Sequence, residues 1–277
     1  MIHALVLGSS GIIGSHLRIT PHPGIVATYH QGRTALDLTD HQRTEELLAA
    51  VKPNVIINLA GESRPDVVQA NPSRYIDINQ YLPHRLAAWA LAHKAHLIHV
   101  STQAVFSGNY APYAPYRAGC PVNAYGEQKR AADSILLYEY RSAVTIVRPS
   151  FVLGVRPNQN IGRMNPVELM LGGQDKQVAD RWFSPSFAPD VAADLWDIAS
   201  GAPHMKIFHL GVPIRVSRFD IALELGCDVV PVSHNDFPGI AERPVDTTYA
   251  AGSLCRMGFK AGIADCLQRF LAQRVAA

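Results

Sequence analysis

The chain has 277 residues, 48% of them hydrophobic and 17% charged, which is enough for one large core or two unequal lobes and excludes disorder or a disulfide-stapled miniature. Twenty-five basic against 23 acidic residues leave a net charge of +2, without basic blocks, so nucleic acid is not expected as a partner. Four scattered cysteines form no C-x-x-C pair, and neither a secretory leader nor a membrane-length apolar run is read, which makes a protein of the reducing cytoplasm the expectation.

In chain order, short β-rich apolar runs alternate with amphipathic ones. The runs 3–8, 25–30, 54–59, 96–101 and 143–148 read as strands, and 11–19, 40–51 with Asp40 as N-cap, 79–93 and 124–139 as helices between them. Such stacked β-α-β units predict a doubly wound parallel sheet, a Rossmann fold. Beyond Arg148 the pattern loosens, with helices over 166–171 and 189–198, a returning strand over 205–210, and helices near 219–225 and 263–275. The expected division is a dinucleotide-binding domain, 1–149 with 178–210 returning to it, and a smaller C-terminal substrate-binding lobe of 150–177 and 211–277.

The first strand runs into Gly8-Ser9-Ser10-Gly11-Ile12-Ile13-Gly14. Gly8 permits a sharp turn, Gly11 close approach of a pyrophosphate, and Gly14 tight packing of helix on strand, with free amides at the helix start for the phosphates. The end of the second strand, Thr28-Tyr29-His30-Gln31-Gly32-Arg33, carries no carboxylate for a ribose 2′-hydroxyl. His30 and Arg33 become candidate cofactor contacts, with Arg33 suited to a 2′-phosphate, so NADP(H) is favoured over NAD(H).

Tyr125 and Lys129, spaced i, i+4 at the head of a helix, share one face. A neighbouring ammonium favours the phenolate and is expected to lower the phenol's ordinary pKa of about 10. Thr102, at the end of the fourth strand, can bond the carbonyl oxygen that Tyr125 would protonate. Phenol, ammonium and hydroxyl converging at that edge suit hydride transfer to a ketone.

With these elements in order the chain resembles the extended short-chain dehydrogenase/reductases and, within them, the dTDP-4-dehydrorhamnose reductase family. The likeness runs through Asn58-Leu59-Ala60-Gly61, Asp66, Pro72, Asn79, the 101–106 and 121–126 stretches, 148–154, Asn165 with Met170, 180–190, and Glu242-Arg243-Pro244. It implies Thr102, Tyr125 and Lys129 as the catalytic set. Gly8 to Gly14, including Ser10, Ile12 and Ile13, would contact the cofactor, as would Asp37, Leu38, Leu59, Ala60 and Gly61 together with Tyr125 and Lys129. Gln103, Asn165 and Arg243 are implied for the substrate, with Arg243 on the sugar nucleotide's diphosphate.

The departures from that pattern are Gln103 and Ala104 in place of Asp and Tyr, Phe151 in place of Trp, and Arg181-Trp182 in place of a Gln-containing pair. They bear on which sugar is accepted. The expected activity is NADP(H)-dependent reduction of a 4-keto-6-deoxy nucleotide sugar. Its alternatives are an epimerase or dehydratase with bound NAD, or a non-catalytic cofactor-binding regulatory subunit. No metal site is expected, since His93 falls at a helix end and His96 and His99 in the next strand, and a homodimer is compatible with the family.

Overall fold

The computed structural model describes residues 1–30, 36–157, 166–201, 206–236 and 239–275. In the first half β1 (Ile2–Leu7), α1 (Ile12–Ile19), β2 (Ile25–His30), α2 (His41–Val51) and β3 (Val55–Asn58) are followed by the short helices α3 (Pro65–Ala70) and α4 (Pro72–Ile76). A π turn at Asp77–Tyr81 then leads into α5 (Leu82–Ala92), β4 (His96–Val100), α6 (Ala124–Glu139) and β5 (Val144–Pro149). The remainder comprises β6 (Val152–Leu153), α7 (Pro166–Leu171), β7 (Lys176–Val178), β8 (Trp182–Phe183), β9 (Ser186–Phe187), α8 (Ala188–Ala199), β10 (Ile207–Leu210), α9 (Arg218–Glu224), β11 (Val230–Val232), β12 (Asp246–Thr247) and α10 (Phe259–Val275).

Six strands form one wholly parallel sheet in the order β2-β1-β3-β4-β5-β10, with Leu7 level with Asn58 and Asn58 level with His99. Period-2 alternation explains its burial on both faces. Ala4, Val6, Ile57, Ile98 and Phe208 point to one side and meet Leu17 of α1 and Val191, Leu195 and Trp196 of α8. Leu5, Leu7, Ile56, Leu97 and Ile146 point to the other and meet Leu48, Leu82, Leu86 and Leu136. Each such aliphatic chain removed from water contributes about 2 kcal/mol. Because strand order reverses on either side of β1, the carboxyl ends of β1, β3 and β4 border one crevice, the position at which sheets of this kind take their ligands.

The later strands pair in twos, β6 with β9, β7 with β11 and β8 with β12. Around them Leu153, Met170, Phe183, Phe187, Ile221 and Ile263 form a third apolar cluster. Among the described residues no helix is long and apolar enough to cross a membrane.

The expected strands and long helices lie within two residues of their observed limits, except that α5 and α10 start later and earlier than read. Asp40 caps α2 as expected, its Oδ1 accepting from Arg43 N at 3.1 Å. The helices α3 and α4 were not expected; Pro65 and Pro72 each occupy a first-turn position where the missing N–H costs nothing. The helix read over 79–93 begins instead in the π turn, which swings Asn79 inward.

Candidate active site

The glycine turn leaves β1 with Gly8 at φ +78°. A Cβ there would lie 2.7 Å from Ala60 N, and one on Gly14 would lie 2.5 Å from Ser9 Cα, so both glycines are required by backbone packing. Gly11 differs, because a Cβ on it would meet only Gly8 O, at 3.6 Å. The space above it is open to a ligand. Gly11 also starts α1 without any side-chain cap, leaving the first amides of the helix available to an anion. A dinucleotide pyrophosphate fits these features.

At the opposite wall, Asn123 caps α6 by accepting from Gly126 N at 2.9 Å. Gly126 leaves no room for a side chain against the Ala104 carbonyl, so the head of α6 packs directly on the segment bearing Thr102. Tyr125 is 9% exposed and Lys129 is 4% exposed. Burial pushes the Tyr125 phenol up to about 12, against an opposing hydrogen-bond contribution from Thr102. This corrects the expectation that Lys129 holds the phenol down. The ammonium is turned elsewhere, with Nζ 2.9 Å from both Val100 O and His99 Nε2. Lys129 itself is lowered to about 8 by burial, partly offset by Asp133. Asp133 is in turn engaged by Arg148 at 2.8 Å and by the Ser101 hydroxyl at 3.0 Å.

Polar residues set into otherwise apolar strands support this pair. Asn58 Oδ1 accepts from Ala60 N at 3.1 Å, and its Nδ2 lies 3.4 Å from His99 Nδ1. Asn79 bridges Glu62 N at 3.0 Å and Gln128 Oε1 at 3.0 Å, fastening the loop after β3 to the back of α6. Thr102 donates to Gln103 Oε1 at 3.1 Å and accepts from Ala104 N at 3.1 Å.

These elements enclose one cavity of about 740 Å³. Of the expected site residues, Gly8, Gly11, Ile12, Ile13 and Gly14 line one end, Leu59, Ala60 and Gly61 its floor, and Thr102, Gln103, Tyr125, Lys129 and Arg243 its middle and far wall. Ser10, His30, Asp37 and Leu38 do not line it. His30 instead accepts from Ser9 through its carbonyl, Asp37 Oδ1 accepts from Thr39, and Leu38 is packed in the core. Arg33 and Asn165 lie outside the described residues.

The lining also includes groups the sequence reading did not single out as site residues: Glu62, Asp66, Lys176, Arg181 and Arg218. Both carboxylates are already paired, Glu62 with Arg64 at 2.5 Å and Asp66 with Arg243 at 2.6 Å. Burial opposes ionisation of Asp66, but bonds from Arg243 and the 240–241 backbone hold it below the usual carboxylate range. The cavity therefore carries uncompensated positive charge, as a site for anionic ligands requires.

A doubly wound parallel sheet, a glycine turn at its reversal point and a buried Tyr-x-x-x-Lys pair opposite define an oxidoreductase of the short-chain dehydrogenase/reductase type. The chain belongs to the RmlD substrate binding domain family, whose model matches residues 2–270. It is 30% identical over 196 residues to a dTDP-4-keto-6-deoxy-D-glucose reductase of Streptomyces niveus, covering 69% of this chain and 66% of that one. It is 29% identical to the dTDP-4-dehydrorhamnose reductase of Mycobacterium tuberculosis, over 86% of this chain and 82% of that one. The methionine adenosyltransferase 2 subunit beta of Xenopus tropicalis is 25% identical, over 98% and 89% of the two chains. In fold, the crystal structure of dTDP-4-dehydrorhamnose reductase from Bacillus anthracis in complex with NADP superposes with a TM-score of 0.85 at 21% identity, over 98% of this chain and 99% of that one.

Proposed function

We propose that this chain is an NADP(H)-dependent reductase of a 4-keto-6-deoxy nucleotide sugar, similar in activity to the dTDP-4-dehydrorhamnose reductases. The observation that carries this reading is the convergence of Thr102, Tyr125 and Lys129 on one cavity with the glycine turn at its end. Residues 1–149 and 178–210 would make the cofactor domain, and 150–177 with 211–277 the substrate lobe.

The glycine turn and the Leu59–Gly61 loop would hold the cofactor, which supplies the hydride when bound. Tyr125 is the proton donor to the keto oxygen. With its pKa pushed up to about 12 it stays protonated at neutral pH, ready to give its proton only as negative charge builds on that oxygen. Thr102 turns its hydroxyl from Gln103 to the same oxygen, adding a second donor. Lys129 would hold the nicotinamide ribose. Arg243, fixed by Asp66, faces the substrate, and Arg33 remains the candidate for the 2′-phosphate. An enzyme of this kind works in the cytoplasm, and a homodimer is compatible with it.

The likeness to the adenosyltransferase subunit supports a second reading, a regulatory subunit that binds a dinucleotide and turns nothing over. The complete Thr-Tyr-Lys set favours catalysis. The test follows NADPH oxidation with dTDP-4-dehydrorhamnose in wild type and Tyr125→Phe. We expect turnover in the wild type and a loss of 10²-fold or more, roughly the worth of a positioned acid, in the variant. Equal rates would sink the mechanism, and a silent wild type that co-purifies with a partner would favour the subunit.

A further inference from the structure

The far wall of the cavity holds two guanidinium groups that differ in how they are held. Arg243 is fixed, donating through Nη1 to Ala241 O at 2.7 Å and through Nη2 to Asp66 Oδ2 at 2.6 Å. Asp66 also accepts from Ala241 N at 3.0 Å, so one carboxylate shapes the whole turn that presents Arg243. Arg181 has no such anchor: its Nε is buried and has no hydrogen-bond partner among the described residues. The neighbouring carboxylates are engaged elsewhere. Asp66 is taken by Arg243, and Asp180 accepts from Ser233 Oγ and His234 N, each at 2.7 Å. Glu242 is exposed, where solvent screens its pull.

We infer that Arg181 and Arg243 form a two-armed clamp for the diphosphate of the nucleotide substrate, with Arg181 the arm that closes only on that anion. The inference rests on the nucleotide-sugar reading above and deepens it. Two planar forks match a diphosphate, which offers oxygens on two adjacent phosphorus centres. A buried donor without a partner is costly, and a like-charged neighbour adds to the cost, so an anion between the two groups relieves both. In agreement, Arg181 is lowered from its ordinary pKa, first by burial and then by Arg243. The backbone places the clamp firmly, since Trp182 N donates to Val245 O at 2.8 Å and ties the two arginine-bearing segments together. Where the family pattern has a Gln-containing pair, this chain has Arg181 and Trp182, so this arm of the clamp departs from that pattern.

The test uses the full chain saturated with NADP⁺, so that the glycine turn is filled, and titrates inorganic pyrophosphate, dTDP and thymidine by calorimetry. Arg181→Gln should weaken pyrophosphate and dTDP at least tenfold, about 1.4 kcal/mol, and leave thymidine and NADP⁺ affinity unchanged. Arg181→Lys should recover part of the loss. In turnover, Arg181→Gln should raise KM with kcat unchanged. Unchanged NADP⁺ affinity certifies that the variant is folded. Pyrophosphate binding that is equal in wild type and Arg181→Gln, or absent in the wild type, overturns the clamp. An Arg181-dependent pyrophosphate site in a protein that reduces no keto sugar keeps the clamp and discards the activity.

Discussion

Lys129 illustrates how a single residue is set against its own environment. A lysine ammonium 4% exposed, with a neutral imidazole and one carbonyl as its near partners, has lost most of its hydration. Its pKa falls from 10.5 to about 8 for that reason. The sign of the effect on stability follows directly. Between those two values the unfolded chain binds a proton at this site that the folded chain does not, so stability rises with pH across that window. Removing the amine should remove the rise. Relative to Lys129→Met, wild type should gain up to about 1.4 kcal/mol per pH unit between about pH 8 and 10.5, measured by urea denaturation at a series of pH values. A difference that stays flat across that range would show the amine to be solvated. Tyr125 and Lys129 could be named from their spacing, but not this environment: His99 lies thirty positions from Lys129 in the chain and meets it only because β4 and α6 are neighbours in the fold.

At the scale of elements, what local pattern could reveal and what it could not separate cleanly. The strands were legible because a doubly covered sheet buries both faces and leaves short, continuous β-branched apolar runs in the sequence, and α6 because sixteen residues give several turns of repeat. The Asp66–Arg243 bond was not, since 177 residues separate its partners, and the π turn was not, since its residues fit a continuing helix equally well. The head of α6 joins both kinds of information. Asn123 is a cap of ordinary sequence type, yet its Nδ2 also donates to Glu242 O at 2.7 Å, binding the helix that bears Tyr125 and Lys129 to the turn that presents Arg243. Asn123→Ala should therefore lose about 1 kcal/mol from the cap and about 1 kcal/mol from the second bond. Asn123→Asp keeps the acceptor for Gly126 N but not the donor, so it should recover the helix and not the link. Denaturant midpoints for the two variants, read beside KM, separate these roles: both should raise KM by loosening the turn that presents Arg243, while Asn123→Asp should recover only the cap's share, about 1 kcal/mol.

Across the whole molecule, the cavity exists because the later chain is fastened to the sheet at several places. Tyr249 donates to Arg148 O at 2.9 Å at the end of β5, β6 pairs with β9, and β9 runs straight into α8, which packs on the sheet face beside α1. Phe187, at the end of β9, lies against Gly262 of α10 with no space for a side chain between them. This contact connects α10 to a residue adjoining the sheet's own helix layer, so strain there should be felt on both sides of it. Gly262→Ala would gain up to about 1 kcal/mol in helix propensity, but the methyl group must displace a fully buried ring, a cost of roughly 1–3 kcal/mol. The net expectation is destabilisation of up to about 2 kcal/mol, with loss of the sheet signal and of the later-strand cluster at the same midpoint. Trp182, on β8 and paired with β12, provides a reporter beside that cluster once Trp89 and Trp196 are replaced by Phe. Its fluorescence and far-ultraviolet circular dichroism should trace coincident unfolding curves, and Gly262→Ala should move both together. If Trp182 were released at lower denaturant than the helices and sheet, the later-strand cluster would be a separately stable unit, fastened to the sheet too weakly for the two to unfold as one.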